Sequence, residues 1–173
     1  MRSNETSKAE GEKITNNKNT KMTTKKNKKY ERLYNQIKEL LPKGNTTISA
    51  MSTITAILYH KIDYFFWCGF YMLEDGKLNV GPYQGPVACQ ELEKDKGVCW
   101  AGINQAETIV VPDVEAFPGH IACDSRSKSE IVIPLFDQNG NVFGVLDVDS
   151  KDLGSFDETD AKWLEKIVSL LIN

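Results

Sequence analysis

Three cysteines sit in short polar settings that suit reactive thiols: Cys89 in GPVACQ, Cys99 in KGVCW and Cys123 in FPGHIACDS. Three kinds of chemistry are open to them. In a redox site, one thiolate attacks, becomes a sulfenic acid and is resolved by a second thiol to a disulfide. In a zinc site, His120 and Cys123 (H-x-x-C) would join Cys89 and Cys99. Structural zinc sites favour C-x-x-C pairs, so the ten-residue Cys89 to Cys99 spacing speaks weakly for that. In the third reading the thiols are inert and buried, which their glycine-rich, polar flanks disfavour. His120 taken alone reads as an ordinary hydrogen-bonded loop histidine.

Carboxylates supply a second group of candidates. In a strand over 141–149, Phe143, Val145, Asp147 and Asp149 share one face, so two charges stand where apolar residues are expected. Glu130 opens the neighbouring strand and can converge with them. Clustered carboxyls raise one another's pKa, so one can stay protonated and act as an acid, or the group can hold an ammonium. The plainer alternative is a strand end facing water.

These side chains need elements to position them. Tyr30, Leu33, Tyr34, Ile37, Leu40 and Leu41 recur at helical spacing, and Pro42-Lys43-Gly44 stops that helix. A second helix is expected from about Thr47 to His60. The period then switches to two: 64–73 (YFFWCGFYML) and 77–83 form a hairpin across Glu74-Asp75-Gly76. Along the first strand Trp67, Gly69 and Tyr71 share a face that could wall an aromatic pocket. Cys68 falls on the apolar face and reads as core. Residues 84–107 look irregular, 108–112 form a short strand, and 113–129 form a loop. Residues 130–136 and 141–149 make a second hairpin, and a final helix starts near Ser155 or Asp157. This order describes an α+β domain, an antiparallel sheet with helices packed on one face.

Composition bounds the class. The 173 residues are 40% hydrophobic and 26% charged, enough for one domain with a real core. No apolar run is long enough to span a membrane, and no secretory signal opens the chain. A cytoplasmic, reducing compartment follows as the default, where cysteines are more often reactive or metal-binding than structural. Residues 1–29 carry nine Lys/Arg and three Glu and almost no large apolar side chain, so they read as a disordered basic tail. The remainder, 30–173, is acidic, which argues against nucleic-acid binding.

The segments WCGFYML (67–73), VGPYQGPVACQELEKDKGVC (80–99), ETIVVPDVEAFPGHIACDSRSKSEIVIPL (107–135) and GVLDVDS (144–150) resemble the free methionine-(R)-sulfoxide reductases, a family built on a GAF domain. The resemblance implies a six-stranded antiparallel sheet flanked by helices, with loops closing a pocket. It implies thiol-dependent reduction of free methionine-(R)-sulfoxide to methionine, with no cofactor or metal. By that resemblance Cys123 is the nucleophile, Cys89 or Cys99 resolves its sulfenic acid, and a thioredoxin-type dithiol reduces the disulfide. Glu130, Asp147 and Asp149 then bind ammonium and oxygen, and Trp67 and Tyr71 wall the methyl pocket. Which of Cys99 and Cys123 attacks stays open. One departure stands out: after GVC the family has a small Gly-Thr-Ala run, whereas this chain has Trp100-Ala101-Gly102. A homodimer rests only on analogy with GAF domains that pair through helices. The competing readings are a non-catalytic GAF sensor module and a zinc-stabilised binding protein.

Overall fold

The computed structural model describes residues 23–41, 43–120 and 123–172. Residues 1–22 of the expected tail and Pro42 of the expected helix stop lie outside the described residues. The elements run α1 (23–40), α2 (Thr47–Lys61), β1 (Trp67–Glu74), β2 (Lys77–Gln84), β3 (Glu91–Leu92), α3 (Gly97–Gln105), β4 (Ile109–Val111), β5 (Ser129–Phe136), β6 (Val142–Ser150) and α4 (Glu158–Val168). Among the described residues no helix is long and apolar enough to cross a membrane.

The six strands form one antiparallel sheet in the order β3-β2-β1-β6-β5-β4. The β1–β2 turn places Asp75 at φ 49° and Gly76 at φ 76°, the left-handed pair that a two-residue hairpin requires. Strand alternation then builds two cores. On one face Cys68, Phe70, Ile131, Ile133, Leu146 and Val148 pack against α1, α2 and α4 through side chains such as Ile37, Met51, Ile54 and Leu164. On the other face Trp67, Tyr71, Val132 and Val145 pack with Val98, Cys99 and Trp100 of α3.

Two expectations change here. The stretch 84–107, expected to be irregular, contains β3 and α3, and α3 lies on the sheet face opposite the other helices. Phe143 also leaves the face of Val145. The β5–β6 register shifts between Leu135 and Phe136, and Phe143 packs with the three-helix core.

The helix expected from Tyr30 already runs at residue 23, the first described residue, inside the segment read as disordered tail. Tertiary contacts account for it. Lys26 Nζ ion-pairs with Asp157 Oδ2 at 3.0 Å and with the fully buried Asp160. Trp163 Nε1 donates to Asn27 Oδ1 at 2.8 Å. Asp160 also accepts from the hydroxyls of Tyr30 (2.7 Å) and Tyr64 (2.5 Å), so one buried carboxylate gathers α1, the α2–β1 connection and α4. Asp157 caps α4, accepting from the amides of Thr159 and Asp160 while Asp160 accepts from Asp157 N, a reciprocal capping box.

Removing the cation leaves Asp160 with hydroxyl partners but no counter-charge. Lys26→Met is expected to lower the unfolding free energy by about 1–3 kcal/mol, below the usual loss for a broken buried pair because both tyrosines remain. Urea denaturation measures it, and an unchanged midpoint would show that the start of α1 is not docked.

Candidate active site

The sheet face that carries α3 holds a cavity of about 210 Å³. One wall comes from β1. Trp67 stacks on Tyr71 with ring centroids 5.8 Å apart and on Tyr83 at 5.4 Å. Gly69 lies beneath that stack, and a Cβ there would overlap both the indole and Tyr83 Cβ, so the close approach of these side chains requires glycine. The wall also holds the loop after β2. Trp67 Nε1 donates to Pro86 O at 3.2 Å, and Tyr71 OH donates to Cys89 O at 3.2 Å.

Adjacent strands supply the floor. In the register Glu130 of β5 faces Asp149 of β6, while Asp147 faces Val132 on one side and Gly69 on the other. Alternation turns all three carboxyls into the cavity. Glu130 and Asp147 are buried, at 6% and 7% exposure. Burial pushes the Glu130 carboxyl well up, and the charges of Asp147 and Asp149 push it further. Burial and then Asp149 raise Asp147, with the neighbouring Cys99 thiol and Glu130 carboxyl opposing the rise. Asp149 is pushed up to about 7 by burial, against a hydrogen bond from Ser127. The floor therefore holds protons into the neutral range.

The thiols divide. Cys89 and Cys123 are joined in a disulfide with Cα atoms 5.9 Å apart, tying the loop after β2 to the loop before β5. Cys99, on the first turn of α3, is a free and buried thiol. Burial raises its pKa well above the usual value, and Asp147, Glu130 and Asp149 raise it further, so it is neutral. Cys68 is also free and fully buried, on the opposite face as expected from parity. The four-ligand zinc set of Cys89, Cys99, Cys123 and His120 is not assembled, because two of its thiols are bonded to each other. His120 lines the cavity with its Nε2 buried and unpartnered among the described residues, and burial lowers its pKa.

Trp100 fits. The indole is 3% exposed and donates to Leu92 O at 3.3 Å, and Gly102 behind it approaches Val132 closely enough that a Cβ would crowd that side chain. The bulky residue after Cys99 fastens α3 to β3 without entering the ring stack.

Three contributors escaped the sequence reading. Tyr83 completes the aromatic stack; extending the hairpin turn would set Pro82 opposite Gly69, and only the register shift between Gly69 and Tyr71 brings Tyr83 there. Ser127 supports Asp149 from within a polar run that carries no pattern. Asp124, next to Cys123, forms a two-point pair with Arg126 (2.9 and 2.6 Å) that holds its carboxyl down to about 2. Arg126 and Lys151 both lie over the Phe66 ring, at 4.8 and 4.4 Å.

Comparison with known proteins fits this geometry. Residues 49–171 match the family described as GAF domain. GAF domain-containing protein A of Dictyostelium discoideum is 50% identical over 149 residues, 86% of this chain and 93% of that protein. The free methionine-R-sulfoxide reductase of Escherichia coli is 37% identical over 142 residues, 82% and 86% of the two chains. Among solved structures, that of the free methionine-R-sulfoxide reductase from Neisseria meningitidis in complex with its substrate superposes with a TM-score of 0.78. It is 39% identical and covers 82% of this chain and 85% of that one. The chain belongs to the GAF domain proteins and, among them, to the free methionine-R-sulfoxide reductase family.

The raised carboxyls carry a pH signature. An acid whose folded pKa lies above its unfolded value keeps its proton longer in the native state, so its contribution to stability falls as pH rises. For Asp149 the window runs from about 4 to about 7. Asp149→Asn is expected to flatten the decline in stability across that window, by on the order of 3 kcal/mol between its ends. Denaturation midpoints for both proteins at several pH values test it. Parallel curves would mean that Asp149 ionises normally.

Proposed function

We propose that this chain reduces free L-methionine-(R)-sulfoxide to L-methionine. The observation that carries the proposal is the meeting, in one small cavity, of a cysteine pair able to form a disulfide, carboxyls whose burial raises their pKa, and an aromatic wall. The names of the related reductases point the same way. A non-catalytic sensor would share the fold but gives no reason for a disulfide beside acids.

The substrate's methyl group would lie against Trp67 and Tyr71. Glu130, Asp147 and Asp149 would receive its ammonium and its sulfoxide oxygen. The Cys123 thiol loses its proton and attacks the sulfoxide sulfur, while one floor carboxyl donates a proton to the oxygen. The bond formed between Cys123 Sγ and the substrate sulfur then breaks together with the sulfur–oxygen bond, the hydroxyl oxygen passes to Cys123 Sγ, and methionine leaves behind a Cys123 sulfenic acid. The Cys89 thiol then attacks Cys123 Sγ and expels water, forming the Cys89–Cys123 disulfide. That disulfide corresponds to the end of one turnover. A dithiol reductant of the thioredoxin class, in a reducing cytoplasmic compartment, would return both thiols. This assigns the resolving role to Cys89 and leaves Cys99, neutral and fixed beside the carboxyls, as a positioning residue.

The test is methionine formation from the free (R)-epimer with a thioredoxin recycling system, beside the free (S)-epimer and a peptide-bound sulfoxide. Turnover is expected only with the free (R)-epimer, and Cys123→Ser should lose more than about a hundredfold. Cys89→Ser should complete a single turnover and then stall. Activity surviving in Cys123→Ser but lost in Cys99→Ser would move the nucleophile, and no turnover with any sulfoxide would overturn the proposal.

A further inference from the structure

Cys99 Sγ and carboxylate oxygens of Glu130 and Asp147 all lie within 4.8 Å of one another. An independent feature points to a ligand there: Asp147, only 7% exposed, has an Oδ1 with no hydrogen-bond partner among the described residues, on a side chain that lines the cavity. A buried, unpaired carboxylate oxygen is costly and calls for a proton donor or a cation. We propose that Cys99, Glu130 and Asp147 form a site for one thiophilic divalent cation of the zinc class, and that the occupied site excludes the amino-acid substrate.

The donor set selects the metal. One sulfur and two carboxylate oxygens suit zinc, whereas magnesium and calcium take oxygen alone. Tetrahedral coordination with zinc–sulfur near 2.3 Å and zinc–oxygen near 2.0 Å places neighbouring ligand atoms about 3.5 Å apart, a modest closure from the present separation. Three protein ligands leave a fourth position for water on the cavity side, the arrangement of an open zinc site. All three ligands sit on regular elements: Cys99 on α3, Glu130 on β5 and Asp147 on β6. The Cys89–Cys123 disulfide leaves Cys99 as the cavity's free thiol among the described residues, so the site exists in the oxidised protein. The claim of substrate exclusion rests on the placement of the ammonium under Proposed function; metal binding itself does not.

The probe is cobalt(II) titrated into the oxidised, full-length protein at fixed pH. One equivalent is expected to produce a thiolate-to-cobalt charge-transfer band that zinc abolishes. Cys99→Ala should lose the band, and Glu130→Gln should weaken binding about tenfold or more, each checked for a native circular dichroism spectrum. Cys68→Ala, altered on the other sheet face, should keep the band. No band, or a band that survives in Cys99→Ala, overturns the site. If Cys99→Ala does not fold, an affinity unchanged in Glu130→Gln overturns it. Methionine should displace the metal more effectively than alanine, which chelates metal in solution alike but lacks the side chain. Binding that depends on Cys99 yet shows no preference for methionine upholds the site, overturns its exclusion of substrate, and counts against the ammonium placement instead.

Discussion

Burial of acidic side chains in the middle of an antiparallel sheet is the constraint around which this domain is arranged. Asp147 stands between β1 and β5, paired with Gly69 on one side and Val132 on the other, and Glu130 faces Asp149 one step along the same ladder. A one-residue slip of β6 would turn both aspartates into the three-helix core and bring Leu146 and Val148 into the cavity. The register is therefore fixed by both faces at once. The helix-side core, with fully buried Ile37, Met51, Ile54, Leu58 and Leu164, is predominantly apolar and supplies the stabilisation that the cavity side forgoes. The asymmetry explains why one face of the sheet holds three helices and the other only the short α3.

The remaining cavity parts are fastened to that floor by contacts made at the rim. Tyr71 and Trp67 bind the loop carrying Cys89 through their polar ends while their rings stay in the stack. Gly97 N donates to Gly119 O at 3.1 Å, joining the start of α3 to the loop that leads to Cys123. The disulfide closes the arrangement across a sequence separation of 34 residues, and chain-entropy reasoning assigns such a cross-link about 4 kcal/mol of restriction on the unfolded chain. Opening it removes the covalent tie between the two loops, whereas the sheet and α3 keep their packing. Loop freedom and floor rigidity thus depend on different interactions and can change separately.

Legibility in the sequence followed how local the determining forces are. Strand parity grouped Trp67 with Tyr71 and set Cys68 opposite them, and grouped Asp147 with Asp149, because alternation within a strand needs no knowledge of its partner; that the two groups share one face comes from the β1–β6 register. The three-helix layer was equally plain from apolar spacing. By contrast α3, GVCWAGINQ, is nine residues long with glycine at two positions, and its helicity comes from packing Val98, Cys99 and Trp100 on the sheet. The first turns of α1 have a polar composition that reads as unstructured. They are held by Lys26 to acids more than a hundred residues away, a pairing no local window contains. Phe143 misled for a related reason: a bulge near the second hairpin breaks the period on which parity depends.

The division among the thiols follows from the same geometry. A thiol set beside buried acids on a fixed element gains no stabilisation of its anion; burial and three nearby carboxyls all favour the protonated form of Cys99. Such a group is a poor first nucleophile in the closed, oxidised state, yet it is well held against the cavity floor. Cys89 and Cys123 lie instead in loops, joined to each other in the cavity lining rather than held on a helix or strand. Beside Cys123 the acid Asp124 is paired with Arg126, and the Lys151 ammonium lies over the same Phe66 ring as that guanidinium. An anion forming on Cys99 would meet carboxyls. The fold thereby fixes Cys99 beside the floor carboxyls and brings the Cys89–Cys123 pair, carried on two loops, to the same cavity.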